Sequence, residues 1–282
     1  MPAQDKTRHQ ILEQLTTETE TVVLSQFPEA KVLLQPSSAL SRLKNPLKNF
    51  KDQDQKAKLI SQITLEEYQA TLQKLARLIE TPVRDYQDEE LLYLEQQLTD
   101  LLGFSISATQ EDHLVPFVGG VMMACPHLKR TPTDELADHE EILEAGLSQK
   151  RSFFGWFHPS QLDTQAKLYE KYYFSLPLHL SPKWQLNPKK EALWFKHKKL
   201  IMINPTREVA VVGILADVGP YHLVRAQFGG SPEVIRLGEV WHPASKGKVA
   251  IFFVDDPENK VPLGQIKLKQ KLSLKAKEIN YV

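Results

Sequence analysis

From about residue 172 the apolar residues of this 282-residue chain fall into short runs with a period near two. That rhythm constrains the fold more than any other feature, because alternation over a few residues fits a half-buried strand and not a helix. The runs at 172–180, 199–203, 209–215, 249–254 and 266–274 read as strands. Turn-forming stretches separate them, among them Asn204-Pro205-Thr206-Arg207 and Asp255-Asp256-Pro257-Glu258-Asn259. One short helix interrupts the series at Ser231-Pro232-Glu233, where serine suits the N-cap, proline the first helical position and glutamate the helix dipole. Many short strands at this spacing predict a small barrel or sandwich.

The first hundred residues follow a different period. Ile11, Leu15, Val22 and Val23 form a rough helical stripe that Phe27-Pro28 ends. Thr64-Leu65-Glu66-Glu67 fits a capping box. It opens a helix carrying Tyr68, Leu72, Leu75 and Ile79, stopped by Thr81-Pro82. A second helix is expected from Asp85 or Asp88, with Leu91, Leu94, Leu98, Leu101 and Leu102, closing at Gly103. These narrow stripes suit a helical hairpin that packs on itself, on the next domain, on a second copy or on a protein partner. Between hairpin and barrel, residues 115–123 read as a strand containing Gly119-Gly120, and residues 136–147 as a short acidic helix. The aromatic cluster Phe153-Phe154-Gly155-Trp156-Phe157 follows, either a sugar-stacking platform or a plug between domains. The expected class is therefore α+β: a helical region at 1–103, a mixed connecting segment at 104–170 and a six-stranded barrel at 171–282.

Charge and cysteine content narrow the function. Lysine plus arginine equals aspartate plus glutamate at 35 each, yet residues 1–110, 111–178 and 179–282 carry net charges of −4, −4 and +8. The basic third ends in Lys267, Lys269, Lys271, Lys275 and Lys277. Such a face could meet an anionic polymer, or it could be the lysine guard of an edge strand. No nucleic-acid partner is expected from the lysine tail alone. Cys125, the one cysteine, excludes an internal disulfide framework. No apolar run reaches the roughly 18 residues of a membrane span. Met1 to Lys6 shows no basic-then-apolar leader. The expected location is the cell envelope if a leader precedes this chain, and the cytoplasm otherwise. His127 and His139 lack metal-motif spacing, and the glycine pairs lack nucleotide-loop context, so neither metal nor other cofactor is expected.

Residues 199–254 carry the chemistry. An apolar strand ends at Asn204-Pro205, and a second ends in Asp217-Val218-Gly219-Pro220-Tyr221; Phe228-Gly229-Gly230 then leads into the capped helix. This order resembles the double-psi β-barrel of the rare lipoprotein A family of peptidoglycan lytic transglycosylases, a barrel that expansins and related endoglucanases share. The resemblance spans some 55 to 80 residues of the 282. It implies a double-psi-like barrel, a cell-wall glycan partner, and Asp217 as the catalytic acid. The family also has a histidine upstream of the Asn-ending strand. His197 and His179 are the nearest here, and neither keeps that spacing.

The physical reading of Asp217 stands beside the resemblance. A carboxylate directly after an apolar strand is partly desolvated, and desolvation raises its pKa toward that of a usable general acid. Hydrolysing glycosidases need a second carboxylate. A lytic transglycosylase does not, because the sugar's own C6 hydroxyl attacks and one carboxyl serves as acid and then base. Asp217 could equally be a turn-forming residue that accepts backbone amides. His222 and His197 are carried as catalytic partners, and Tyr221, Phe228, Glu233, Trp241 and Trp156 as substrate contacts. The competing reading is a glycan-binding or scaffolding module without turnover.

Overall fold

The chain divides into two units, Met1–Leu59 and Ile60–Val282. The computed structural model describes residues 64–80, 89–139, 146–156, 164–221 and 225–270, all in the second unit. The stripe at Ile11–Val23, the lysines beyond residue 270, Phe157 and His222 lie outside the described residues.

The helical hairpin begins as its capping chemistry requires. Thr64 Oγ1 accepts from the Glu67 amide at 3.1 Å while Glu67 Oε2 accepts from the Thr64 amide at 2.7 Å. Helix α1 (Leu65–Leu78) buries Tyr68, Leu72 and Leu75, and α2 (Glu89–Leu102) buries Leu91, Leu94, Leu98, Leu101 and Leu102. Gly103 ends α2 at φ +79°, a left-handed cap. The leucine stripe is consumed within the chain: it belongs to one apolar core shared with the barrel strands. Contact is closest at Gly119, where a Cβ atom would stand 2.7 Å from the Ile79 Cα. Only a glycine lets α1 lie this close to the strand.

Eight strands form the main sheet: β1 (Ile106–Ser107), β4 (Gly119–Ala124), β5 (Tyr173–Leu176), β6 (Lys199–Asn204), β7 (Val209–Val218), β8 (Phe228–Gly230), β9 (Lys248–Val254) and β10 (Gly264–Lys267). A two-stranded ribbon, β2 (Thr109–Gln110) and β3 (His113–Leu114), stands apart. Six of the eight close on themselves in the order β4-β9-β6-β7-β5-β8 and back to β4. Two contacts in the ring, β4 with β8 and β5 with β7, are parallel; the other four are antiparallel. Closure removes free edges from these strands. β1 and β10 continue the outer lengths of β9 and β7, beyond where β4 and β5 pair with them. The class is thus α+β, with helices in the N-terminal part and a closed six-stranded mixed barrel toward the C-terminus. β4, the strand at 115–123 of the connecting segment, is one of the six.

Several elements differ in length from their sequence expectation. β5 stops at Leu176 because Pro177 has no amide to donate, and a 3₁₀ turn (Leu178–Leu180) follows. β7 runs on to Val218, almost wholly buried, since helices and neighbouring strands cover it on both faces. β10 ends at Lys267, and residues 268–270 are helical with Leu268 buried. Of the helix expected over 136–147, the described residues show a 3₁₀ turn at Leu136–Asp138 and, at the far end, Leu147 bridged to His127, while 140–145 lie outside the described residues. Polar contacts organise that excursion: Arg130 donates its amide to Asp134 and its guanidinium to the Asp138 carbonyl, each at 2.7 Å.

Asn204 locks the far end of β6. Fully buried, it donates to the carbonyls of Gly238 and Glu239 at 2.9 and 3.1 Å and to Ser245 Oγ at 2.9 Å. Its own oxygen accepts from the Arg207 amide. The β6–β7 turn is thereby tied to the segment after α6 (Pro232–Leu237), whose N-cap is Ser231, as expected.

Candidate functional site

Asp217 is the penultimate residue of β7. The β5/β7 register slips by one after Phe174, so Ser175 pairs with Asp217 instead of Ala216. A bulge of this kind re-aims the side chains beyond it. The Asp217 carboxyl is half-buried, and Oδ1 accepts the Phe153 amide at 2.7 Å. Burial pushes its pKa up, against the pull of hydrogen bonds from the Phe153 and Val218 amides. The shift is in the direction a general acid requires. The cis peptide Gly219–Pro220 turns the chain away immediately afterwards.

Aromatic rings collect around this strand end. The amide bonded to Asp217 belongs to Phe153, whose ring is 46 % exposed and contacts Phe154 and Trp184 at centroid distances of 5.5 and 5.6 Å. On the continuing chain Tyr221, 61 % exposed, stacks on His179 at 5.3 Å. Trp156, three residues beyond Phe153, is half-buried. Exposed ring faces beside a carboxyl provide flat apolar surface of the kind a sugar ring covers.

The other sequence candidates are distributed differently. His197 takes φ +59° after helix α5 (Pro188–Phe195); its amide donates to the Leu215 carbonyl and its ring lies edge-on to Tyr169. Burial first, then the Lys196 charge, lowers its pKa to about 4, so it is neutral at neutral pH. A neutral imidazole there can accept a proton but has none of the acidity of an imidazolium. Phe228 is a core residue with no exposed surface to offer a ligand. Trp241 is exposed but covers Gly247, next to the Asn204 lock. Asn204 pairs with Val209, the first residue of β7, whereas Asp217 is the strand's last residue but one. Glu233 is buried in the first turn of α6 and lines a small cavity with His127, His139 and Glu170, which Asp217 does not border.

Cys125 and Tyr173 fill the space behind Asp217. Burial raises the Cys125 thiol to about 11, helped by the neighbouring Asp217 charge, so it is a poor nucleophile at neutral pH. Its sulfur occupies the place a Gly229 side chain would take, since a Cβ there would stand 2.4 Å from Sγ. Tyr173 donates to the Pro126 carbonyl at 2.5 Å.

A second polar cluster sits beside this one. His127 Nδ1 is 2.7 Å from Glu170 Oε1, His139 Nδ1 is 3.1 Å from Glu170 Oε2, and His139 Nε2 is 3.1 Å from Asp134 Oδ2. Glu170 lies in α3 (Thr164–Lys171). Two imidazoles and a carboxylate are a donor set able to hold a divalent ion. Residues 127, 139 and 170 come together only through the fold, so no sequence spacing signals them. A larger hollow of about 710 Å³ lies between Leu102–Ser105 and the β9–β10 connection, away from Asp217. Its Asp256 is committed to Lys199 and to the Lys260 and Val261 amides. Among the described residues no helix is long and apolar enough to cross a membrane.

No protein-family model, curated protein or solved structure matches the chain.

Proposed function

We propose that the barrel cleaves a cell-wall glycan non-hydrolytically, with Asp217 as the one catalytic carboxyl. The observation that carries this reading is the half-buried Asp217 side chain with its raised pKa, held by the amide of the exposed Phe153 and followed four residues on by the exposed Tyr221. The closed six-stranded ring is compatible with a double-psi barrel. The stretch Asp217-Val-Gly-Pro-Tyr221 after an Asn-ending strand resembles the rare lipoprotein A family.

In the proposed reaction Asp217 gives its proton to the glycosidic oxygen as the bond from that oxygen to C1 breaks. The C6 hydroxyl of the same sugar then bonds to C1, and its proton returns to Asp217. The products are a 1,6-anhydro end and a free hydroxyl on the leaving sugar, with no water consumed. One carboxyl performs both transfers, and a pKa raised toward neutrality suits both directions. The reaction requires that the protein reach the cell wall, and an extracytoplasmic location is part of the proposal.

One observation favours a second reading. The Phe153 amide already occupies Asp217 Oδ1, as it would in a purely structural clamp that holds an aromatic loop for binding. Digestion of purified peptidoglycan separates the two. Turnover predicts 1,6-anhydro-muramyl ends from the wild type and none from Asp217→Asn. The binding module predicts no such ends and sedimentation with intact walls.

A further inference from the structure

We propose that His127, His139 and Glu170 form a binding site for one divalent first-row transition-metal ion, with zinc the best match. The proposal is independent of the role of Asp217. The three donors come from three separate segments and are 1 %, 6 % and 5 % exposed. Their candidate ligand atoms all lie within 4.8 Å of one another.

The scaffold around them is fixed. His127 is bound through its main chain, its amide donating to the Gly146 carbonyl and its carbonyl accepting from Ser148. The Arg130 bonds to Asp134 and Asp138 hold the excursion that presents His139. Glu170 is in the last turn of α3, anchored where Ser231 Oγ donates to the Lys171 carbonyl.

The contact on the far nitrogen of His139 suits a metal-bound ring. With a metal bound at Nδ1, Asp134 Oδ2, 3.1 Å from His139 Nε2 and able only to accept, would keep the ring proton on Nε2. The lone pair is then on Nδ1, facing Glu170 Oε2 at 3.1 Å. Nδ1 makes no hydrogen bond, because the oxygen lies off the line an N–H would take. An outer carboxylate on the far nitrogen of a ligand histidine is the usual arrangement around bound zinc. Tetrahedral zinc with bonds of about 2.0–2.2 Å sets donors about 3.4 Å apart. The spacings of 2.7 and 3.1 Å reach that value with small ring and carboxylate movements.

Two imidazoles select against calcium and magnesium, which take oxygen ligands. A cavity of about 50 Å³ adjoins the donors, with room for a water as a further ligand. Glu233 also lines it, as do Lys167, Lys171 and Arg130, so acidic and basic groups are both present. The bound ion would cross-link the 127–139 excursion to α3.

The test uses the full chain without a histidine tag, stripped by chelator and dialysed. Zn²⁺ is titrated against a chromophoric competitor, and Co²⁺ is added separately to read its visible spectrum. The proposal expects one equivalent of zinc, a nitrogen-containing four- or five-coordinate cobalt spectrum, and a higher melting temperature with zinc. His139→Ala and Glu170→Gln each lower zinc affinity at least tenfold, with circular dichroism confirming the fold. Wild-type protein that takes up neither metal overturns the proposal, whatever the variants do. Uptake unchanged in both folded variants also overturns it. So do His127 and His139 imidazole resonances that do not move when zinc is added.

Discussion

Replacing Asn204 by alanine removes the lock between the β6–β7 turn and the segment after α6, and the structure sets the size of the effect. The amide nitrogen serves two carbonyls and the Ser245 hydroxyl, and the amide oxygen accepts the Arg207 N–H. The Gly238 carbonyl and Ser245 hydroxyl are buried with Asn204 itself, so water does not readily replace the lost partner. A buried polar group left unsatisfied costs about 1–3 kcal/mol. With two groups most affected and some relaxation, Asn204→Ala should cost about 3 kcal/mol. At about 2–4 °C per kcal/mol for a unit of this size, the melting temperature falls by roughly 6–12 °C. Asn204→Asp keeps the shape and one oxygen but sets a second oxygen against the Gly238 and Glu239 carbonyls at 2.9 and 3.1 Å. It should therefore be worse than alanine at neutral pH and recover partly in acid, where a protonated carboxyl can donate. Urea unfolding followed by tryptophan fluorescence measures both. An alanine variant within 1 kcal/mol of wild type, or an aspartate variant more stable than alanine at pH 7, would refute the reasoning.

Other consequences follow from single positions. Because folding raises the Asp217 pKa, ionisation there opposes folding: stability is lost as pH rises from the ordinary carboxylate range through the folded value, and is level above it. Asp217→Asn should accordingly melt higher than wild type at neutral pH, and thermal scans should show that gain shrinking toward pH 4. Gly119→Ala forces a methyl to within 2.7 Å of the Ile79 backbone and should cost about 1–3 kcal/mol by denaturant titration, with the hairpin shifting to relieve it. Cys125, its thiol raised to about 11, should react with iodoacetamide at pH 8 far more slowly in folded than in unfolded protein, and equal rates would contradict its burial.

How much of this could be read from the sequence depended on the range of the interactions. The capping box at Thr64, the glycine stop at Gly103 and the Ser231-Pro232-Glu233 helix start are local chemistry, and each lies where its residues place it. The short apolar runs at 199–203, 209–215 and 249–254 became β6, β7 and β9, buried along nearly their whole length inside the closed sheet. Ring closure was not legible, since it depends on pairing β4 with β8 and β9, partners over a hundred residues away. Nor was the His127, His139 and Glu170 cluster, which exists only because α3 packs beside the excursion after β4. Asp217 was visible as a carboxylate after an apolar strand, but the Phe153 amide that holds it comes from a distant loop. Phe228, expected as a substrate contact, is instead fully buried in the core.

The most direct test of the central claim is mass spectrometry of muropeptides released from purified peptidoglycan by the full chain and by folded Asp217→Asn. The account predicts 1,6-anhydro ends that accumulate with wild type and are absent with the variant. Equal release by both proteins, or hydrolysed reducing ends in their place, would contradict it.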